Sequence, residues 1–131
     1  MATFTDGLAI ATAVRQGEIT AQAVIEDRLN TLYHRDRALN CFTLVATERA
    51  LQRARALDQA IQSGQAIGPL AGVPFAVKNL FDIAGEVTLA GSKINRDHAP
   101  ATQDATAIAR LEKAGAILVG ALNMDEYAYG F

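Results

Sequence analysis

Tryptophan is absent from this 131-residue sequence, cysteine occurs once, and neither sign of charge predominates. The single thiol, Cys41, excludes an internal disulfide and suits a reducing, cytoplasmic compartment, where it reads as a small core residue. Soft metal ligands are equally scarce: His34, Cys41 and His98 are spaced like no ligand motif, so no metal is expected. "GEVTLAGSK" separates Gly85 from Gly91 by one residue too many for a Walker loop and sets Ser92 before Lys93. No GxGxxG occurs either, and no cofactor is expected. With 12 basic and 14 acidic residues, net −2, the chain has no field that would draw a polyanion or a membrane surface, and direct nucleic-acid binding is not expected. No segment approaches the roughly 20 apolar residues of a membrane span. "MATFTDGLAI" has no basic region ahead of a sustained apolar run, so no signal peptide is expected.

What is present suits a soluble fold: hydrophobic residues make up 50% and charged residues 20%, enough for one modest core. Leu8, Ala11 and Val14 share a helical face that Gly17 can close in a left-handed cap. Thr20 can cap a second helix burying Val24, Ile25, Leu29 and Leu32, with Glu26, Asp27, Arg28 and Arg35 toward solvent. "CFTLVA" reads as a short strand, followed by Thr47 as N-cap of a helix with Ala50, Leu51, Ala54, Leu57 and Ile61 on one face, ending at Ser63 and Gly64. Arg49, Arg53 and Arg55 on that helix read as a solvated face, diluted by Glu48 and Asp58.

After the breaker-rich "GQAIGPLAGVP", the alternation of Val73, Phe75 and Val77 predicts a buried strand with Pro74 near its start. A helix from Thr102 through Ile108 and Leu111 stops at Gly115 and leads into "AILVG", a second buried strand. Strand, helix and strand imply a parallel βαβ unit, so the fold class is α/β: N-terminal helices over residues 1–63, then part of a mixed or parallel sheet flanked by helices over 64–131. About three strands are visible, and so small a sheet would leave its edges exposed. In "NMDEYAYGF", Asn123 and Glu126 have the spacing of a capping-box variant, and the adjacent acids Asp125 and Glu126 read as capping and dipole partners without a catalytic role.

Lys78 stands out, following an apolar strand whose carboxyl end is where α/β sites collect. At a reference pKa near 10.4 only on the order of one lysine in 2,500 is neutral at pH 7, so a lysine base needs desolvation or a nearby cation. Periodicity alone favours a plainer role, a strand-end lysine whose stem packs while its amine reaches water.

Taken in order, "GPLAGVPFAVKN", "TLAGSKINR" and "DATAIARLEKAGAILVGALNMDEYAYG" resemble the amidase signature family, most specifically from Gly68 onward. The resemblance implies that Lys78 is the outer member of a Ser, cis-Ser, Lys triad, a poorly solvated amine passing protons through a bridging serine to a nucleophilic serine that attacks an amide carbonyl. Those serines belong to a later glycine- and serine-rich segment of the family, whereas Ser63 and Ser92 are the serines of these 131 residues. Ser63 reads as a helix terminus, and Ser92 lies in a loop resembling one near the family's site. The expectation is an N-terminal portion of a single amidase domain, incomplete and inactive alone.

"AVKNLFDIAG", "LAGSKINR" and "LNMDEYAYGF" look most like the 1-carboxybiuret hydrolase branch, which pairs the amidase with a small helical subunit. The resemblance implies a small amide or urea-like substrate and leaves open a small helical partner subunit and a homo-oligomer. Asn79 supports that branch, since many members, including the amidase chains of tRNA-dependent amidotransferases, carry aspartate after the lysine. The amidotransferase reading stays open. So does a reading from another class, a non-catalytic α/β module that keeps the helical surface for a partner.

Overall fold

The computed structural model describes residues 6–130. Helix α1, Gly7–Arg15, starts at Asp6, whose carboxylate accepts the Ala9 N–H at 2.8 Å. It closes through Gly17 at φ +72°, with the Glu18 N–H donating to the Ala13 carbonyl, as the sequence predicts. Its buried face is Ile10, Ala11, Ala13 and Val14, and Leu8 is 72% exposed, so it does not share the face of Ala11 and Val14 as its spacing suggests. At roughly 100° per residue Leu8 points well away from Ile10 and Val14, and those larger contacts set the helix rotation.

Helix α2, Ala21–Leu39, is capped twice at its start. Thr20 accepts the Ala23 N–H, and Asp58, from the helix that follows in sequence, accepts the Ala21 and Gln22 N–H groups at 2.7 and 3.0 Å. One carboxylate thus satisfies two orphan donors and fixes the pairing of two helices. After the left-handed Asn40 the chain enters β1, Phe42–Val45. Cys41 at this junction is exposed, correcting its expected burial, and its N–H donates to Asp36. Helix α3, Thr47–Gln62, begins one residue earlier than a Thr47 cap would require. Thr47 is already helical, and its hydroxyl pairs instead with that of Tyr33 at 2.5 Å.

Strand β2 is Pro74–Lys78, helix α4 is Thr106–Lys113 and strand β3 is Ile117–Leu122. The helix expected from Thr102 starts four residues later because residues 101–105 are bonded elsewhere. Ala101 accepts the Gly85 N–H and donates to the Glu86 carbonyl, and Ala105 donates to the Asp82 carbonyl. The sheet order is β1-β3-β2, with β3 parallel to β2 and antiparallel to β1. The architecture is mixed α/β, as expected.

Ile117 and Val119 of β3 pack against α1, α2 and α3, while Leu118 and Ala121 pack with Ile108 of α4 and Ile83. Helices therefore cover both faces, which explains why β3 is buried over five consecutive residues instead of alternating. β2 departs from the buried strand expected: it lies at the edge of the described sheet and is only half-buried. No helix among the described residues is long and apolar enough to cross a membrane.

Candidate active site at the carboxyl ends of the parallel strands

Lys78 is the last residue of β2 and pairs with Leu122, the last of β3. The parallel pair carries it to the sheet end the sequence suggests. Its side chain is exposed and, among the described residues, makes no ion pair, so the poorly solvated amine expected is not present in this chain. The edge position of β2 is the physical reason.

Immediately after Lys78 the surroundings change. Asn79 is 5% exposed, and its N–H extends the ladder to the Leu122 carbonyl at 2.9 Å. Its side-chain nitrogen donates to Thr43 Oγ1 at 3.2 Å, and its Oδ1 accepts the Gly91 N–H at 2.9 Å. Its carbonyl accepts the Ala90 N–H at 3.0 Å. One residue thus joins β1, β3 and the loop around Gly91.

That loop is bonded in turn to residues 123–129. Ala90 (φ 49°) and Gly91 (φ 70°) are consecutive left-handed residues, and so are Tyr127 (φ 53°) and Ala128 (φ 58°) on the facing segment. The Tyr127 N–H donates to the Ala90 carbonyl at 2.8 Å, and its hydroxyl donates to Asn95 Oδ1 at 2.9 Å. A side chain on Gly91 would place Cβ 2.7 Å from the Met124 carbonyl oxygen, so close approach of two backbones requires glycine there. Left-handed non-glycine residues cost roughly 1–2 kcal/mol each and persist only where neighbours over-determine them. Three meet here.

Ser92 is buried and donates to Glu126 Oε1 at 2.5 Å. This replaces the capping role expected of Glu126; Asn123 does not cap the short turn Glu126–Ala128 either, its Oδ1 accepting the Met124 N–H. Asp125 holds the cap position without a side-chain bond. The hydroxyl of Ser63 turns back onto the Gln59 and Ala60 carbonyls. Among the described residues neither serine hydroxyl is hydrogen-bonded to Lys78. A cleft of about 180 Å³ between the two loops is lined by Thr43, Asn79, Leu89, Gly91, Ser92 and Asn123, with Lys93 and Arg96 at its rim.

Away from this end lies a charged cluster that sequence reading missed. Arg49, expected on a solvated face, grips both oxygens of Asp104 at 2.9 and 2.6 Å and reaches Glu112 at 2.9 Å, bolting α3 to α4. Asp104 also accepts the Ala84 N–H. The hydrogen bond from Arg49, offset in part by burial, holds the Asp104 carboxyl below its ordinary range, and the same bond raises Arg49. Arg49 and Asp104 are 55 residues apart, beyond the reach of helical spacing. Among the described residues no group of three or more His, Cys, Asp or Glu side chains is placed to hold a metal.

The family model described as Amidase matches residues 23–131. The chain belongs to the amidase family. Among amidase-family relatives, the AtzE component of 1-carboxybiuret hydrolase from Pseudomonas sp. (strain ADP) is 51% identical over 118 residues, which cover 90% of this chain and 26% of that protein. The A component of glutamyl-tRNA(Gln) amidotransferase from Rhodopirellula baltica is 43% identical over 114 residues, covering 87% and 23%. A solved structure of an inhibitor-bound vestigial complex, described as revealing the evolutionary origins of an s-triazine catabolic enzyme, superposes with a TM-score of 0.95 at 48% identity, over 97% of this chain and 28% of that one. A bacterial aryl acylamidase of the amidase signature family superposes at 0.86 with 28% identity, over 94% and 26%. The chain spans about a quarter of the length of the curated relatives it matches.

Proposed function

We propose that these residues are the N-terminal, lysine-bearing portion of a single cytoplasmic amidase domain that hydrolyses a carbon–nitrogen bond in a small amide or urea-like substrate of the 1-carboxybiuret type. The observation that carries this reading is the 51% identity to AtzE across a segment in which Lys78 ends the parallel strand beside β3. Lys78 serves as the proton relay of a Ser, cis-Ser, Lys triad: its neutral amine accepts the proton of the bridging serine, which takes that of the nucleophile. Both serines come from residues outside these 131, a reading supported by the absence of a hydrogen bond from Ser63 or Ser92 to Lys78 among the described residues. The same residues supply the desolvation that Lys78 lacks here, and the 131-residue segment alone does not turn over.

The exposed Leu8, Tyr33 and Leu39 on α1 and α2 suit contact with a small helical subunit or a second copy. A second reading, the amidase chain of a tRNA-dependent amidotransferase, is favoured by the 43% identity to the Rhodopirellula baltica protein. Ammonia release by the full-length enzyme, with 1-carboxybiuret and with glutamine at equal concentration, separates the two. Turnover of 1-carboxybiuret well above that of glutamine is expected; the reverse order establishes the amidotransferase reading.

A further inference from the structure

Asn79 is buried, polar and adjacent to Lys78, and the proposed chemistry gives it no task. Its bonds have a direction. They run from the residue after the lysine to Thr43 on β1, to the Leu122 carbonyl on β3 and to the Ala90–Gly91 backbone, three segments that are distant in sequence. Backbone bonds from Asn79 continue the β2–β3 pairing through the end of the strand, and its side chain ties that end to Thr43 on β1, beyond β3, and to the Gly91 loop. A leucine at this position would keep the volume and leave the Gly91 N–H without its acceptor. An aspartate would keep both links, since one carboxylate oxygen accepts from Gly91 and the other can accept from the Thr43 hydroxyl once that hydroxyl turns from the Ala121 carbonyl, to which it makes only a long bond of 3.4 Å.

We propose that Asn79 is a positioning residue for Lys78: its side-chain amide pins the end of β2 between Thr43 and Gly91 and so fixes where the lysine amine is presented. This rests on the reading of Lys78 as the proton relay. Displacing a catalytic group by about 1 Å can lower turnover by roughly 100-fold without touching the chemistry itself. Asn79 acts on that displacement.

The test uses the full-length enzyme and ammonia release from 1-carboxybiuret, or from glutamine if the unmodified enzyme prefers it. Asn79→Leu is compared with Ile108→Ala, a deletion in the fully buried core beneath β3, and each is assayed below its own melting temperature. Positioning predicts that Asn79→Leu lowers kcat by roughly 30-fold or more while KM stays within about twofold. Asn79→Asp recovers most of that loss, and Ile108→Ala keeps kcat within about threefold despite its lower melting temperature. A kcat loss in Asn79→Leu no larger than that of Ile108→Ala overturns the proposal, as does a loss expressed in KM alone. Lys78→Ala, run in parallel, keeps the failures apart. If it remains active, the relay assignment falls and positioning falls with it; if it is inactive while Asn79→Leu is not, positioning alone is wrong.

Discussion

Two parts of this molecule hold distant segments together by opposite means. At the carboxyl ends of β2 and β3, mostly neutral groups do the joining: Asn79 with Thr43 and Gly91, and Tyr127 with Ala90 and Asn95, around backbone held in left-handed conformations, with the Glu126 carboxylate accepting from Ser92 as the one charged member. Between α3 and α4 the fastening is charged, with Arg49 shared by Asp104 and Glu112. Charge–charge attraction is strong and tolerant of small shifts, whereas amide and hydroxyl bonds weaken steeply as angles and distances change. The charged cluster suits a scaffold, and the neutral one suits a place where a side chain must be presented in one position.

The largest effect should come from the residue the neutral cluster presents. In the full-length enzyme Lys78→Ala is expected to lower kcat by more than about 1,000-fold, since both proton relay and nucleophile activation depend on it, with no loss of stability because a desolvated amine is unfavourable to bury. Steady-state kinetics beside a thermal melt check both halves. Next comes the neutral cluster's backbone: Gly91→Val meets the Met124 and Asp125 carbonyl oxygens at 2.7 and 2.9 Å and demands a left-handed β-branched residue. A loss of about 3 kcal/mol in denaturant unfolding is expected, together with a fall in turnover.

The charged cluster should respond differently. Asp104→Ala removes the bidentate partner of Arg49 and the acceptor for the Ala84 N–H, and is expected to cost about 2 kcal/mol without altering kcat below the melting temperature. Acid tests the charged cluster directly. The Asp104 carboxyl titrates lower when folded than when unfolded, so the unfolded chain binds the extra proton, and this stabilisation is present above about pH 4 and lost as pH falls through the folded value. Unfolding followed from about pH 6 to about pH 3 should show a decline that Asp104→Ala flattens. The smallest effect is expected at Leu8: Leu8→Ser should stay within about 0.5 kcal/mol, and would weaken association only if a partner covers α1.

Much of this division was hidden in the sequence, and the reason is separation along the chain. Features set by neighbours within a turn or a strand were legible, such as the Thr20 cap and the Gly17 close, and the strand–helix–strand order made the parallel pair, with Lys78 at its end, legible as well. Quoted motifs carried the family. What depended on side-chain contacts between residues far apart in the chain was not legible, as with Asp58 capping α2, Arg49 gripping Asp104 and Asn79 reaching Thr43. Glu126 shows the hazard most clearly, since local spacing offered it a cap and the fold gave it Ser92, 34 residues away. Asn79 left one trace, a polar residue beside the lysine where many family members place an acid.

The most direct measurement pairs kcat with the free energy of unfolding for Lys78→Ala and Asp104→Ala in the full-length enzyme. The expected result is a crossed pattern: Lys78→Ala loses turnover and keeps stability, and Asp104→Ala loses stability and keeps turnover. If Lys78→Ala still hydrolyses its substrate, or if Asp104→Ala loses turnover to the same degree while fully folded, the division between a presenting end and a fastening face is wrong.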